Sequence, residues 1–306
     1  MEYRQLGKDG PQVTVLGLGA WPIGGGMGHV AEAEAISTIH AAIEHGIALI
    51  DTAQGYMTSE ATLGKALQNG YRDRCFIATK VSQDYSRQGI RTAMEDSLRA
   101  LRVEYVDLYQ IHHWDERYPL EEMMETMARL QEEGKTRYIG VSNFSAEQMV
   151  QALEIARFQS NQPPYNLIDR QIERADIPFC EREGIGILVH SPLVKGLLAG
   201  KYSADHQFPA DDERSTFARF QGEAFAGYLA AVERLKEVAQ AKGLTLVQLA
   251  LAWTLRLPAI TCVLVGARNT AQVEAQLGAV GVTFSQEELA RIDEIMAEAP
   301  EVPHVY

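Results

Sequence analysis

Four residues that could together donate a proton lie at or just beyond the ends of three apolar segments. Asp51 and Tyr56 occur in LIDTAQGYM, Lys80 in FIATKV, and His112 in DLYQIHHWD. A tyrosine phenol ordinarily has a pKa of about 10, which is high for acid catalysis near neutral pH. We expect the Lys80 ammonium to lower the pKa of Tyr56, and Asp51 to hold that ammonium in place. The imidazole of His112 can orient a substrate oxygen or pass on a proton.

Such a site requires a fold that brings several strand ends together. Short Val-, Ile- and Leu-rich runs alternate with segments of helical periodicity, as is typical of parallel strands covered by helices. Eight runs occur, at residues 13–21, 47–53, 75–81, 105–112, 137–143, 158–165, 184–193 and 259–267. They predict a (β/α)8 barrel that spans residues 1–306 as one domain. An open doubly wound sheet is the alternative, but the glycine-rich segment after the first run lacks the GxGxxG spacing.

Local signals indicate where helices begin and end, and where the chain turns. Apolar residues recur with helical spacing over residues 32–45, and Gly46 follows as a helix-ending residue. Asp9 and Gly10 form a turn pair, which predicts an N-terminal hairpin capping the barrel bottom. The irregular segment 199–226 is predicted to be a surface loop with some helix, which could act as a lid. Capping boxes are predicted for Ser145 with Gln148 and for Ser285 with Glu288.

Composition and charge limit the classes of partner. The chain has 306 residues, 46% of them hydrophobic, and a net charge of 28 − 41 = −13, which argues against nucleic acid. We expect no signal peptide, and no apolar run approaches the roughly 18 residues of a membrane span. Cys75, Cys180 and Cys262 lie far apart without a CxxC pair, so we expect reduced thiols in a cytoplasmic protein. No histidine or carboxylate cluster has metal-ligand spacing, so no metal is expected.

Polar residues stand at the ends of all predicted strands from the second to the eighth. The active site of a (β/α)8 barrel lies at these ends, so a shared site is predicted. Single residues have simpler explanations, such as helix capping by Asp51 or a surface position for Tyr56, but their joint occurrence favours the site. The strand-end residues are Asp51, Lys80, His112, Ser142 with Asn143, Gln162, His190 with Ser191, and Gly266 with Arg268.

The same segments resemble the motifs of the aldo-keto reductase family over nearly the whole chain. The chain looks most similar to the bacterial branch that includes general-stress reductases and relatives of potassium-channel β subunits. The resemblance implies NADPH-dependent reduction of aldehydes and ketones, with His112 rather than His113 as the catalytic histidine beside Asp51, Tyr56 and Lys80. The matching motifs are DTAQGY at 51–56, ATK at 78–80, DLYQIH at 107–112, GVSNF at 140–144, SPLVKGL at 191–197, and GAR at 266–268 followed by Gln272.

The resemblance also implies how NADP(H) binds. The carboxamide of the nicotinamide would be held by Ser142, Asn143 and Gln162. The fork-shaped guanidinium of Arg268 would hold the 2′-phosphate of the adenosine. His190 stands where the family usually has an aromatic residue that stacks on the nicotinamide. The pyrophosphate would be met by Ser191, Leu193, Lys195 and Gly196. The other implied cofactor-binding positions are Trp21, Gly266, Gln272 and Gln276, the last in place of the family's asparagine.

The substrate pocket implied by the resemblance is formed by Trp21, Met57, His113 and Trp114. Met57 replaces the usual glycine and would narrow the pocket. Only the short tail 300–306 follows the last predicted helix, so a more open pocket than in the mammalian branch is expected. A pocket of this kind suits aldehydes, ketosteroids, aldoses or pyridoxal. The alternative function is a nucleotide-binding redox sensor or accessory subunit with slow chemistry. The presence of all four residues, Asp51, Tyr56, Lys80 and His112, favours an enzyme.

Overall fold

Apolar side chains on both faces of short strands produce a closed parallel barrel surrounded by helices. The computed structural model describes residues 1–209 and 212–302. The hairpin strands are β1 (Tyr3–Gln5) and β2 (Gln12–Thr14), and the barrel strands are β3 (Leu16–Gly19), β4 (Leu49–Asp51), β5 (Phe76–Val81), β6 (Val106–Ile111), β7 (Thr136–Ser142), β8 (Ser160–Gln162), β9 (Gly186–Val189) and β10 (Ile260–Gly266). The strand order is β10-β3-β4-β5-β6-β7-β8-β9, and pairing of β10 with β3 closes the barrel.

Helices follow each barrel strand, which confirms the predicted alternation. The capping boxes at Ser145 and Ser285 are both formed, and Gly46 takes a φ of +82° just after the first helix. A further capping box at Thr245 was not predicted. The helices are α1 (Glu32–Glu44), α2 (Ser59–Ala66), α3 (Arg87–Leu101), α4 (Leu120–Glu132), α5 (Ala146–Ile155), α6 (Asp176–Glu183), α7 (Gly222–Ala241), α8 (Leu246–Leu255), α9 (Thr270–Leu277) and α10 (Gln286–Ala297).

The predicted N-terminal hairpin is present and covers the bottom of the barrel. Leu6 packs with the barrel interior, and the backbone amide of Lys8 donates to the carbonyl of Gly184, just before β9. The prediction of one strand over residues 13–21 is wrong. The chain leaves the hairpin at Thr14 and enters the barrel at Leu16, so the apolar run divides between two sheets.

The predicted irregular segment 199–226 contains two short helical turns, Glu213–Ser215 and Ala218–Phe220, and the start of α7. A further turn, Val194–Ala199, precedes it. Residues 210 and 211 of this segment lie outside the described residues, as do residues 303–306 of the predicted short tail. Across the two described ranges, no helix is long and apolar enough to cross a membrane.

Candidate active site

Lys80 is the centre of the site. Its side chain is fully buried, and its Nζ donates to Asp51 Oδ1 at 2.5 Å, to the carbonyl of Thr52 at 2.8 Å and to the hydroxyl of Tyr56 at 3.3 Å. An ammonium group has three donors, so these contacts account for all of them. The third N–H is thereby directed at the phenol oxygen of Tyr56.

The strands explain why a lysine can be buried here. Side chains alternate across β5, so Lys80 points into the barrel whereas Thr79 points outward and donates to Glu60 at 2.6 Å. Asp51 on β4 is paired in register with Ala78 on β5, which places its carboxylate beside the Lys80 side chain. A buried ammonium is tolerated when it is paired and fully hydrogen-bonded.

The pKa of Tyr56 differs in direction from the sequence prediction. Burial raises the pKa of Tyr56 above its ordinary value of about 10, and the opposing charge of Lys80 reduces that rise without reversing it. Lys80 does lower the pKa of Tyr56, as predicted, but this effect is smaller than the rise in pKa caused by desolvation of the phenolate. Burial lowers the pKa of Lys80, but Asp51 and Tyr56 more than compensate and the net pKa is raised, so the ammonium stays charged.

The second carboxylate oxygen of Asp51 also accepts hydrogen bonds. Oδ2 accepts from Gln162 Nε2 at 2.8 Å and from Gln110 Nε2 at 3.3 Å, and Gln162 Nε2 also lies 3.3 Å from Gln110 Oε1. Gln110 is fully buried and was not predicted as a site residue. Its position two residues before His112 on β6 could have revealed it, because residues two apart share a strand face.

His112 follows β6 and is fixed on several sides. Its Nδ1 lies 2.8 Å from Ser82 Oγ, its ring stacks on His113 at 4.5 Å, and the Tyr56 ring meets it edge-on at 5.7 Å. The pKa of His112 is lowered to about 2, because burial and then the positive charge of Lys80 and the neighbouring histidines disfavour the imidazolium. His112 is thus neutral over the physiological pH range.

Asn143 connects the histidines at the ends of β6 and β9. Its Oδ1 lies 2.9 Å from His190 Nε2, and its Nδ2 donates to the carbonyl of His112 at 3.0 Å. Nδ2 also lies 3.0 Å from Ser142 Oγ and 3.2 Å from His113 Nδ1. The backbone of Asn143 has a φ of +61°, a conformation that asparagine adopts more readily than most residues.

A cavity of about 670 Å³ joins these side chains at the carboxyl ends of the strands. Lys80 and Ser142 are buried behind its wall, and the Ser142 hydroxyl donates to the carbonyl of Gln162 at 2.9 Å. Of the predicted site residues, the cavity is lined by Trp21, Asp51, Tyr56, His112, His113, Asn143, Gln162, His190, Ser191, Leu193, Lys195, Gly196, Gly266, Arg268, Gln272 and Gln276.

Two of the predicted pocket residues lie elsewhere. Met57 has a backbone φ of +45°, and its side chain is 60% exposed outside the cavity wall. Trp114 packs its ring against Phe144 at 5.4 Å, also outside the cavity lining. The cavity lining also includes residues that were not predicted, among them Ser82 and Gln83.

Three cationic side chains line the cavity. Lys195, Lys201 and Arg268 all line it, and Arg268 Nη2 donates to the carbonyl of His29 at 2.9 Å. Burial lowers the pKa of Lys201, and the nearby charges of Arg214 and Arg268 lower it further. Lys201 was missed because it lies in the irregular segment after β9, where no periodicity constrains the direction of a side chain.

Glu213 lines the cavity from the segment predicted to be a possible lid. Its Oε1 accepts from Lys195 Nζ at 2.8 Å and from Trp21 Nε1 at 3.3 Å. These contacts tie the loop after β9 to the loop after β3. The turn that carries Lys195 has successive positive φ angles, 49° at Val194, 50° at Lys195 and 92° at Gly196.

Comparisons with known proteins identify the family to which the chain belongs. The Aldo/keto reductase family matches residues 15–297 of the chain. Aldo-keto reductase YhdN of Bacillus subtilis (strain 168) is 39% identical over 310 residues, covering 97% of this chain and 94% of that protein. L-glyceraldehyde 3-phosphate reductase of Escherichia coli (strain K12) is 32% identical over 330 residues, covering 97% of this chain and 93% of that protein.

Among solved structures, the glycerol dehydrogenase of Gluconobacter oxydans superposes with a TM-score of 0.89 at 36% identity. That likeness covers 99% of this chain and 97% of the other. A thermostable aldo-keto reductase, Tm1743, superposes with a TM-score of 0.78 at 29% identity over 96% of this chain and 100% of the other. The chain therefore belongs to the aldo-keto reductase family, whose members are oxidoreductases of carbonyl and alcohol groups that use nicotinamide cofactors.

Proposed function

We propose that the chain is an NADPH-dependent reductase of aldehydes and ketones in which Tyr56 is the general acid. The observation that carries this proposal is the hydrogen bond from Lys80 Nζ to the Tyr56 hydroxyl at 3.3 Å, beside a cavity that Tyr56 lines. A phenol that points into a cavity and has a fixed ammonium behind it is equipped to lose a proton to a bound oxygen atom.

The donor and charge pattern of the cavity fits a nicotinamide dinucleotide. Gln162 uses its amide hydrogens within the protein, so its Oε1 is the group left to accept from a carboxamide N–H. Elsewhere in the cavity lining, Lys195, Lys201 and Arg268 provide positive charge for phosphates. The planar guanidinium of Arg268 suits a terminal 2′-phosphate, which supports NADPH over NADH.

In this mechanism each residue has a separate task. A bound reduced nicotinamide would supply a hydride to the carbonyl carbon. Tyr56 donates its phenolic proton to the carbonyl oxygen, and Lys80 stabilises the phenolate that remains. Asp51 keeps Lys80 in position, and His112 orients the carbonyl oxygen toward Tyr56. The same residues can support alcohol oxidation, in which the phenolate of Tyr56 accepts the proton.

Small aldehydes are the substrates that we propose to examine first. The cavity wall near Tyr56 combines the ring of Trp21 with the polar groups of Gln83 and His113, so it suits a short chain that carries hydroxyl groups. One relative is named for L-glyceraldehyde 3-phosphate and a structural neighbour for glycerol. The three cysteines, none of which is in a disulfide, support the proposal of a cytoplasmic protein.

The proposal is tested by following NADPH consumption with glyceraldehyde and repeating the assay with NADH. We expect turnover with kcat/KM at least tenfold higher for NADPH, because only NADPH has the 2′-phosphate that Arg268 can hold. Equal values for the two cofactors would contradict the NADPH assignment. Tight NADPH binding without turnover of several aldehydes and alcohols would instead favour the redox sensor or accessory subunit.

A further inference from the structure

Ser82 lies between the loop that carries Tyr56 and the ring of His112. The backbone amide of Gly55 donates to Ser82 Oγ at 3.2 Å, and the same oxygen lies 2.8 Å from His112 Nδ1. Ser82 is half-buried at the end of β5 and lines the cavity. Within residues 1–209 and 212–302, Ser82 is the one side chain that is hydrogen-bonded to the His112 ring.

The hydrogen atoms at this contact can be assigned by counting donors and acceptors. A serine hydroxyl has one donor and two acceptor sites, and a backbone amide can only donate, so Gly55 occupies one acceptor site. If Nδ1 of His112 carried the ring proton, Ser82 Oγ would accept twice. Its own hydrogen would then have no acceptor among the described residues and would have to face the cavity that Ser82 lines. If Ser82 donates to Nδ1, every group at this contact is satisfied.

We propose that Ser82 is a positioning residue that donates its hydroxyl hydrogen to Nδ1 of His112 and so fixes the tautomer protonated on Nε2. Because Nδ1 is turned to Ser82, Nε2 is the ring nitrogen available to the cavity. The inference rests on the proposed function, since an Nε2–H group is useful when a carbonyl oxygen is bound there. That group donates to the oxygen that Tyr56 will protonate, whereas a bare Nε2 would repel its lone pairs.

Other contacts hold His112 without selecting this tautomer. Val81 O accepts from the His112 amide at 3.2 Å, and Asn143 Nδ2 donates to its carbonyl at 3.0 Å, so the backbone is fixed on both sides. The nearly parallel His113 ring, inclined by 9°, would stack equally well on a flipped imidazole. A specific hydrogen bond is needed to distinguish the two ring orientations, and Ser82 supplies it. The low pKa of His112 is consistent with a neutral ring, in which a tautomer choice exists.

The tautomer can be measured without an activity assay. The full chain is labelled with ¹⁵N-histidine, and long-range ¹H–¹⁵N correlation spectra distinguish protonated from bare ring nitrogens. The spectrum of His112→Asn identifies the His112 signals among those of the eight histidines. We expect wild-type His112 to carry its proton on Nε2, with Nδ1 shifted as a hydrogen-bond acceptor. In Ser82→Ala, Nδ1 should move toward the shift of an unbonded nitrogen, and Ser82→Thr should retain the wild-type shift.

Two results would overturn the inference. One is a wild-type spectrum with the proton on Nδ1, which decides the question even if Ser82→Ala fails to fold. The other is a Ser82→Ala spectrum in which the Nδ1 shift of His112 is unchanged. Because neither result depends on turnover, a failure of the proposed reductase function would be seen separately in the NADPH assay.

Kinetics provide the functional readout. We expect Ser82→Ala to lower kcat for aldehyde reduction roughly fivefold, the effect of losing about one neutral hydrogen bond. The KM for NADPH should stay unchanged, because Ser82 acts through His112. Ser82→Thr should recover kcat to within about twofold of wild type, since it keeps the hydroxyl. A Ser82→Ala enzyme with wild-type kcat, or a loss confined to the KM for NADPH, would contradict a positioning role.

Discussion

Lys80 and Tyr56 are joined by a hydrogen bond of 3.3 Å in which the ammonium is the donor and the phenol oxygen the acceptor. This geometry favours the phenolate that forms after proton transfer, although burial raises the pKa of the resting phenol. The combination is suited to an acid that keeps its proton until a substrate oxygen arrives. Tyr56 then donates its proton mainly when the carbonyl oxygen develops negative charge in the transition state.

Replacing Lys80 by methionine should impair both catalysis and stability. We expect kcat for reduction to fall at least 10²-fold, because the Tyr56 phenolate loses its stabilising charge. The free energy of unfolding should fall by roughly 3 kcal/mol, because Asp51 is left as a buried unpaired carboxylate. Both quantities are measured directly, the first by NADPH consumption and the second by urea unfolding.

The double variant Lys80→Met with Asp51→Asn is the control for this explanation. Removing the unpaired charge should restore part of the lost unfolding free energy while kcat stays low. An equally unstable double variant would mean that the loss arises from packing rather than from the buried carboxylate.

Acid should destabilise the protein partly through His112. Its pKa is about 2 when folded and about 6.5 when unfolded, so the unfolded chain binds the extra proton between these values. The free energy of unfolding therefore falls as pH drops below about 6.5. The contribution at pH 5 is roughly 2 kcal/mol for one histidine.

The matched variant is His112→Asn, which lacks the titrating group but keeps a hydrogen-bonding side chain. Urea unfolding of both proteins at pH 7 and pH 5 should show a smaller acid-induced loss in the variant, by roughly 2 kcal/mol. Identical pH dependence in the two proteins would contradict a neutral buried imidazole.

Glu213 should slow the entry of an anionic cofactor. Its carboxylate lines the cavity, pairs with Lys195 at 2.8 Å and accepts from Trp21 at 3.3 Å, so it opposes the approach of an anion and occupies a cation that could bind one. In Glu213→Gln we expect NADPH to associate at least about threefold faster at low salt, with a smaller difference at high salt. Stopped-flow fluorescence measures this rate.

The exposed Glu223 on α7 provides a control with the same change of charge. Glu223→Gln should leave the association rate within the spread of wild-type measurements. If both variants accelerate association equally, the change in net charge is responsible, and not the contacts of Glu213 with Lys195 and Trp21.

Arg4 should stabilise the barrel without affecting its chemistry. Its guanidinium donates to the carbonyls of Leu255, Leu257 and Ile260, so it ties the hairpin to the end of α8 and the start of β10. Arg4→Ala should lower the free energy of unfolding by roughly 2–3 kcal/mol. Arg4→Lys should recover only part, because a lysine lacks the fork geometry. A drop in kcat at temperatures where Arg4→Ala is fully folded would argue against this separation of stability and catalysis.

The barrel and most of the site could be predicted because parallel strands have a clear sequence pattern. Buried runs locate the strand ends, and alternation along β5 and β6 places Lys80 and His112 inside the barrel. The same alternation places Gln110 on the inner face of β6, but no motif marks a buried glutamine as a partner of Asp51. The division of residues 13–21 was missed because an apolar run does not reveal a change of sheet at Val15.

The remaining features depend on three-dimensional relationships that the sequence does not encode locally. Met57 combines a positive φ with an exposed side chain, and neither is indicated by the motif that contains it. The Lys195–Glu213 pair joins residues 18 apart across an irregular loop. The direction of the Tyr56 pKa depends on how deeply the phenol is buried, which no motif specifies.

The most direct test of the account is the rate of NADPH consumption with glyceraldehyde for wild type and Tyr56→Phe, compared at equal cofactor saturation. Phenylalanine keeps the ring and removes only the donor, so NADPH binding measured by fluorescence should be unchanged. We predict that kcat falls by about 10²–10⁴, the usual contribution of a general acid. A fall of less than roughly tenfold, with NADPH bound as in wild type, would show that another group donates the proton.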